Sequence, residues 1–226
     1  MLNNYDKIAR HYDLLSRMLF YNAQTKAQTE QLSYIPANSR ILIVGGGTGW
    51  ILEEITKIHH ENLTITYVEI SAAMIRLARQ RNTGKNKIEF IHGAIEEFTS
   101  SASYDVIHSA FLFDNFARER TEMVFFKLNR LLTTGGLWLF SDFSYQPKTD
   151  EKWKGVLLKI MYAFFKKVSK VEATVLTDTS SYFESSGYEK LRESTYYRKF
   201  IKAIVYKKES GCIKNGHVMP AHIVLA

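Results

Sequence analysis

Short apolar runs and periodic apolar stripes take turns along this chain. Residues 41–44 (ILIV) form an aliphatic run without charge, the make-up of a strand buried on both faces of a parallel sheet. Ile51, Leu52 and Ile55 follow at helical spacing. The pattern then recurs: residues 63–69 (LTITYVE) read as a strand ending in an acid, and Ser71 reads as the cap of a helix carrying Met74, Ile75, Leu77 and Ala78. Residues 87–91, 104–109 and 137–140 are further short strands. Between the last two, 121–132 places Val124, Phe125, Leu128, Leu131 and Leu132 at helical intervals, and Gly135-Gly136 is read as ending that helix and starting the next strand. Strands alternating with helices predict an α/β fold, a parallel sheet flanked by helices on both faces.

The two ends depart from this alternation. Residues 4–32 read as one or two helices, with Tyr5, Ile8, Tyr12 and Leu15 on one face. Residues 153–168 form a basic amphipathic segment, followed by a short helix near 180–185, a turn at Gly187, and β-like runs over 188–195 and 200–206. The short link between these two runs predicts an antiparallel pair. The whole is read as a single domain over 1–208, with a helical lid over 1–35 and an unassigned tail over 209–226.

With 226 residues and 46% hydrophobic content, the chain can bury one substantial core. Asp6 and Asp13 interrupt the apolar residues of the N-terminus, so neither a signal peptide nor a membrane span is expected, and the single Cys212 excludes an internal disulfide. A cytoplasmic protein is the expectation. The net charge of +7 suits nucleic acid, a membrane surface or an anionic substrate. Much of it is local: residues 148–170 hold seven lysines against Asp150 and Glu151. No nucleic-acid-reading module or arginine stripe accompanies them, so no nucleic-acid partner is expected.

The glycines of RILIVGGGTGWILEEI (40–55) sit where a strand turns into a helix. There, unpaired N–H groups and the positive helix end can receive a ligand; a tight turn alone would use the same residues. A dinucleotide turn wants glycine at its first, third and sixth positions, and the sixth is Trp50. The chain offers Gly45, Gly47 and Gly49 instead.

This G-x-G-x-G turn resembles the first motif of the class I methyltransferases that use S-adenosylmethionine, and Glu69 matches their acid at the end of the second strand. YDKIARHYD (5–13) is similar to the N-terminal element of the ubiquinone and menaquinone biosynthesis subfamily, which folds over the cofactor. YDVIHSAFLFDNF (104–116) is similar to the fourth-strand motif beside the acceptor, and LNRLLTTGGLWLFSDF (128–143) to the following helix, glycine pair and fifth strand. The resemblance covers roughly 4–208. It implies a Rossmann-like seven-stranded, mostly parallel sheet with an antiparallel last strand between the fifth and sixth, S-adenosyl-L-methionine as cofactor, and methyl transfer to a small molecule.

It further implies that Gly45, Gly47 and Gly49 meet the methionine end, that Glu69 holds the ribose, that Ile70 and Ile95 flank the adenine, and that Tyr12 and Ser109 border the cofactor. Two positions depart from the family pattern. The acid usual two residues before the first glycine is Ile43, and the acid usual after the third strand is Ala94, with Glu96 and Glu97 close by. A non-catalytic binder of the same ligand therefore stands as the alternative.

Methyl transfer from a sulfonium is an in-line displacement, governed mainly by alignment at about 3–3.5 Å. A base is needed only when the acceptor must lose a proton. The acceptor pocket is expected beyond the fourth and fifth strands, where His108, Ser109, Asp114 and Asp142 are the polar residues. His108 and Asp142 are the catalytic candidates. Against these stand a core histidine at 108, a turn cap at Asp142 and a helix start at Asp114-Asn115. His59-His60 lack metal-ligand spacing, and no metal is expected. On a helical wheel Trp153, Val156, Leu157, Ile160, Met161, Phe164 and Val168 share a face, with Lys159, Lys166, Lys167 and Lys170 opposite. That segment either covers the core or forms a lid over a lipophilic acceptor, resting on an anionic membrane.

Overall fold

The computed structural model describes residues 20–210, apart from 21, 147, 148, 150, 170–172 and 174. Most of the expected N-terminal lid, Tyr12 included, lies outside the described residues, as does the tail beyond 210. The chain enters the fold through α1 (Ala23–Thr29) and a 3-10 turn (Leu32–Tyr34). Then β1 (Arg40–Val44), α2 (Trp50–Ile58), β2 (Glu61–Glu69), α3 (Ala72–Ala78) and β3 (Lys85–His92) alternate. They are followed by β4 (Tyr104–Ala110), a 3-10 turn (Phe113–Asn115), α4 (Arg118–Leu131) and β5 (Leu132–Phe143). The last elements are α5 (Lys152–Ser169), α6 (Ser180–Ser185), β6 (Tyr188–Tyr196) and β7 (Ile201–Lys208).

Seven strands form one sheet in the order β3-β2-β1-β4-β5-β7-β6. The first five pair in parallel, and β7 lies antiparallel between β5 and β6, the order the family resemblance implies, with the terminal hairpin antiparallel as its short link predicts. The run 41–44 is buried on both sides of the sheet, as its composition requires. Leu42 and Val44 pack with Ile107, Val124, Phe125 and Trp138 on one face; Ile41 and Ile43 pack with Ile51, Leu52, Ile55 and Leu139 on the other. A third cluster, rich in aromatic rings, gathers Phe20, Phe143, Leu158, Met161 and Phe200, with Phe111, Tyr145 and Trp153 against it. Strand order reverses between β1 and β4, and the C-terminal ends of these two strands open the crevice where ligands of open α/β sheets bind.

Two expectations need correction. The pair Gly135-Gly136 does not separate helix from strand: α4 stops at Leu131 and β5 begins at once. The glycines sit inside β5, in an excursion where Tyr104 and Val106 of β4 face Leu132 and Leu137, a bulge that the crowded backbone around Gly136 admits only without a side chain. The second correction concerns α5. Its buried stripe is Lys154, Leu158 and Met161, while Val156 and Ile160 are 57% and 61% exposed. The helix turns this way because Gly155 lies against Tyr145, whose hydroxyl would be 2.5 Å from a Cβ there. The side chains of Phe164 and Val168 lie outside the described residues.

Candidate functional site

The glycine turn is built by different demands at different residues. Gly45, Gly47 and Gly49 all have positive φ, at 67°, 64° and 78°, where a side chain costs about 1–2 kcal/mol. Gly46 meets another demand: a Cβ would lie 2.4 Å from the ring of the wholly buried Tyr67. That ring braces the turn from below and donates its hydroxyl to the Gly47 carbonyl at 2.9 Å. Gly49 precedes α2 and lets it approach α3, for a Cβ there would meet Ala78 at 2.6 Å. Gly47 faces open space, with nothing within 4 Å of the position a Cβ would take. Arg81 secures the outer side of the turn by donating to the Thr48 carbonyl at 3.0 Å.

Glu69 ends β2 beneath this turn, 5% exposed. One carboxylate oxygen accepts the Gly47 N–H at 3.0 Å and the other the Ser71 N–H at 2.9 Å. A buried carboxylate requires such donors; in exchange it ties the glycine turn to the cap of α3, where Ser71 accepts from the Met74 N–H.

Between these walls runs a cleft, open at its mouth. Gly45, Gly47, Glu69, Ile70, Ala94, Ile95 and His108 all line it. Three expected site residues do not. Gly49 faces Ala78. Ser109 points to the opposite side of β4 from His108, as strand alternation dictates, and accepts the Trp138 indole N–H at 2.8 Å. Asp142 lies behind the 3-10 turn that follows β4, where it accepts the N–H groups of Phe113, Asp114 and Phe143. Ile43, in register with His108, is fully buried in the core.

Electrostatics separates the two catalytic candidates. His108 is 3% exposed and its Nδ1 has no partner; burial lowers its pKa to about 4 against the pull of its own backbone carbonyl, so it is neutral near pH 7. Asp142 is raised well above the usual carboxylate range by burial first and then by Asp114, with the three N–H groups opposing. Asp114 keeps part of its surface toward solvent, yet its surroundings desolvate it enough to raise it to about 7. Burial thus pushes both carboxyls toward the protonated form, and Asp114 adds to the shift at Asp142. Tyr162 of α5 faces the pair: burial, then the charges of Asp114 and Asp142, raise its hydroxyl above the ordinary phenol range.

Sequence reasoning passed over Phe111. This residue follows β4 at φ 52°, a left-handed conformation that a bulky side chain rarely holds. Its N–H donates to the Ser141 carbonyl at 2.8 Å and its carbonyl accepts from Asn115 at 2.9 Å. The backbone is pinned so that the ring lines the cleft and lies 5.0 Å from the Phe143 ring, at the edge of the aromatic cluster. Among the described residues, no group of side chains is arranged to hold a metal ion, and no helix is long and apolar enough to cross a membrane.

Residues 41–136 match a family described as a methyltransferase domain. Over 133 residues the chain is 32% identical to a malonyl-[acyl-carrier protein] O-methyltransferase of Bacillus cereus, covering 56% of this chain and 48% of that protein. It spans about half or less of the malonyl-acyl-carrier relatives it matches first. A ubiquinone/menaquinone biosynthesis C-methyltransferase of Geotalea daltonii is 28% identical over 186 residues, covering 79% of this chain and 75% of that one. The fold is shared with the N-methyltransferase NodS of Bradyrhizobium japonicum in complex with S-adenosylhomocysteine, at TM-score 0.59 and 15% identity over 83% of this chain and 86% of that one.

Proposed function

We propose that this chain, which has the class I S-adenosylmethionine-dependent methyltransferase fold with its methyltransferase domain over residues 41–136, transfers a methyl group from S-adenosylmethionine to a small molecule. One observation carries the reading: at the reversal of strand order, open main chain at Gly47 lies directly beside the buried Glu69 carboxylate. The residues fit the cofactor. Gly45 and Gly47 leave room for its amino-acid end, the Glu69 carboxylate lines the cleft where the ribose hydroxyls would lie, and Ile70, Ala94 and Ile95 give the adenine an apolar slot. His108, neutral and lining the floor, accepts a hydrogen bond there without adding charge.

The bound sulfonium supplies an activated methyl group. The protein's part is to align, to exclude water and to accept any proton the acceptor releases. His108 is the expected catalytic residue that lines the cleft, where burial holds it at about 4, a weak base; Asp114 and Asp142 do not line it. Asp142 instead holds the turn Phe113–Asn115 behind the cleft by accepting its main-chain N–H groups. The ring of Phe111 and the cluster beyond it favour a lipophilic acceptor. On α5, exposed Val156 and Ile160 with exposed Lys152 and Lys159 support contact with an anionic membrane surface.

Calorimetry with S-adenosylmethionine, S-adenosylhomocysteine and NAD tests the reading, followed by turnover across a panel of quinones, amines and acyl carboxylates. Binding of the adenosyl pair with turnover is expected. Binding without turnover on any acceptor would favour the non-catalytic alternative, and NAD binding alone would overturn both. Sedimentation with vesicles of anionic lipid tests the membrane contact, which fails if neutral and anionic vesicles behave alike.

A further inference from the structure

Resting on the membrane contact read above from α5, we infer that the tip of the β6–β7 hairpin is a second, cationic foot on the same anionic lipid surface, with Arg198 and Lys199 meeting the headgroup phosphates. The backbone of this tip is unusual. Tyr197, Arg198 and Lys199 follow one another at φ 48°, 53° and 64°, a left-handed run that residues other than glycine rarely hold. It is braced from beneath. The Phe200 N–H donates to the Tyr197 carbonyl at 3.1 Å and Phe200 is wholly buried, while the Tyr197 ring packs edge-on against Phe20 and Trp153, with centroids at 5.4 Å and 6.0 Å. Arg198 and Lys199 themselves are exposed.

Pairing sets these two cations apart from the rest of the hairpin. Lys190 and Lys202 lie against Glu193, Arg192 against Glu30 and Lys207 against Glu209, and Lys208 bonds the carbonyls of Asn129 and Leu132. Among the described residues no acid lies within ion-pair distance of Arg198 or Lys199, nor of the exposed Lys152 and Lys159 on α5. Glu151, the acid beside them, accepts from the Trp153 indole N–H. The two groups of cations adjoin, because Trp153, next in the chain to Lys152, touches the rings of both Tyr197 and Phe200. The same helix exposes Val156 and Ile160. Unpaired cations beside exposed aliphatic side chains and half-buried Trp153 and Tyr197 rings match a bilayer surface, with phosphate outside and hydrocarbon within, better than an acidic polypeptide. The patch also stands at the cleft end of the sheet. Ile201 pairs with Phe143, the last residue of β5, and rings run outward from the cleft wall, Phe111 to Phe143 at 5.0 Å and Phe143 to Phe200 at 5.2 Å. Docking on both feet sets this aromatic side of the cleft against the lipid.

The test is sedimentation of the full chain with vesicles of phosphatidylcholine, with and without phosphatidylglycerol. Arg198→Asn combined with Lys199→Asn removes both charges and keeps a residue that tolerates the left-handed turn. This pair is expected to weaken binding to the anionic vesicles about thirtyfold, the worth of two basic residues near such a surface, with S-adenosylhomocysteine affinity unchanged. Lys190→Asn combined with Lys207→Asn removes the same charge from the same hairpin at paired positions, and should stay within about threefold of wild type. A tip variant within threefold of wild type, or equal losses in the two variants, overturns the cationic foot and leaves the α5 contact standing. A wild type that treats the two kinds of vesicle alike overturns both. A soluble polyglutamate peptide bound by wild type as tightly as the anionic vesicles, and released by the tip variant, would make the partner an acidic polypeptide and overturn the lipid assignment. Should the asparagine pair lack a cooperative melting transition, Arg198→Gly with Lys199→Gly gives the same reading, since glycine suits both φ values.

Discussion

The Tyr67 ring occupies the space that a side chain on Gly46 would need, and its hydroxyl holds the carbonyl of the next residue. The middle glycine of the turn is therefore set by packing and its neighbour by access. Gly46→Ala forces a methyl group into a rigid, buried ring and is expected to lower stability by about 1–3 kcal/mol. Gly47→Ala meets no atom within 4 Å; it should cost only the backbone strain of about 1–2 kcal/mol while intruding on the ligand. Urea denaturation and S-adenosylhomocysteine calorimetry on both variants check the division. A Gly46→Ala protein as stable as wild type would contradict it.

Glu69→Gln replaces an acceptor of two main-chain N–H groups by an amide with one acceptor oxygen. Its NH2 group then confronts one of those donors. Loss of a charged hydrogen bond, about 1.5–3 kcal/mol, predicts S-adenosylhomocysteine affinity reduced about ten- to hundredfold. Unchanged affinity in a titration would remove Glu69 from the binding site.

Asp114 gives a pH dependence of defined sign. Its carboxyl is raised from its ordinary value of 3.8 to about 7, by desolvation against the opposing pull of its own backbone. The folded state therefore holds this proton more tightly than the unfolded one. Its contribution to stability is fullest below about pH 4, is lost as pH rises toward 7 and levels off above. Asp114→Asn should remove this slope, so its advantage over wild type should be greater at pH 8 than at pH 5, by about 2–4 °C in Tm per kcal/mol. Parallel melting curves at the two pH values would refute the assignment.

Phe111 reverses an ordinary rule. In regular structure glycine is less stable than alanine by about 0.5–1 kcal/mol, but at φ 52° the alanine carries the left-handed strain of about 1–2 kcal/mol. Phe111→Gly is therefore expected to be the more stable of the two truncations, although both lose the contact with Phe143. Chemical denaturation of the pair checks the order; alanine above glycine would mean the strain is absent.

What the sequence makes legible is what local pattern decides. The aliphatic run 41–44, the glycine turn and the capping Ser71 each declare themselves within a few residues, and the parallel core follows from their repetition. Gly135-Gly136 misleads because a helix stop and a strand bulge use the same residues, and only the register against Tyr104 and Val106 tells them apart. The face of α5 is set by Gly155 meeting Tyr145, a contact with no trace in the periodicity. Ser109 was in principle readable: adjacent strand residues point to opposite faces, so it could not share the cleft with His108. Phe111 depends on contacts that exist only once the chain is folded.

The outer hairpin has a bearing on how copies of this chain treat one another. Among the described residues strand β6 ends the sheet and has no strand partner on its far side, which is the template for intermolecular β-addition. Here that margin is studded with exposed Glu189, Lys190, Arg192 and Glu193, and its pairing with β7 slips between Lys190 and Arg192. An incoming strand would have to bury these charges and match an irregular rim. The border of the sheet thus guards against fibre-like association, leaving the chain free to present a long antiparallel flank to solvent.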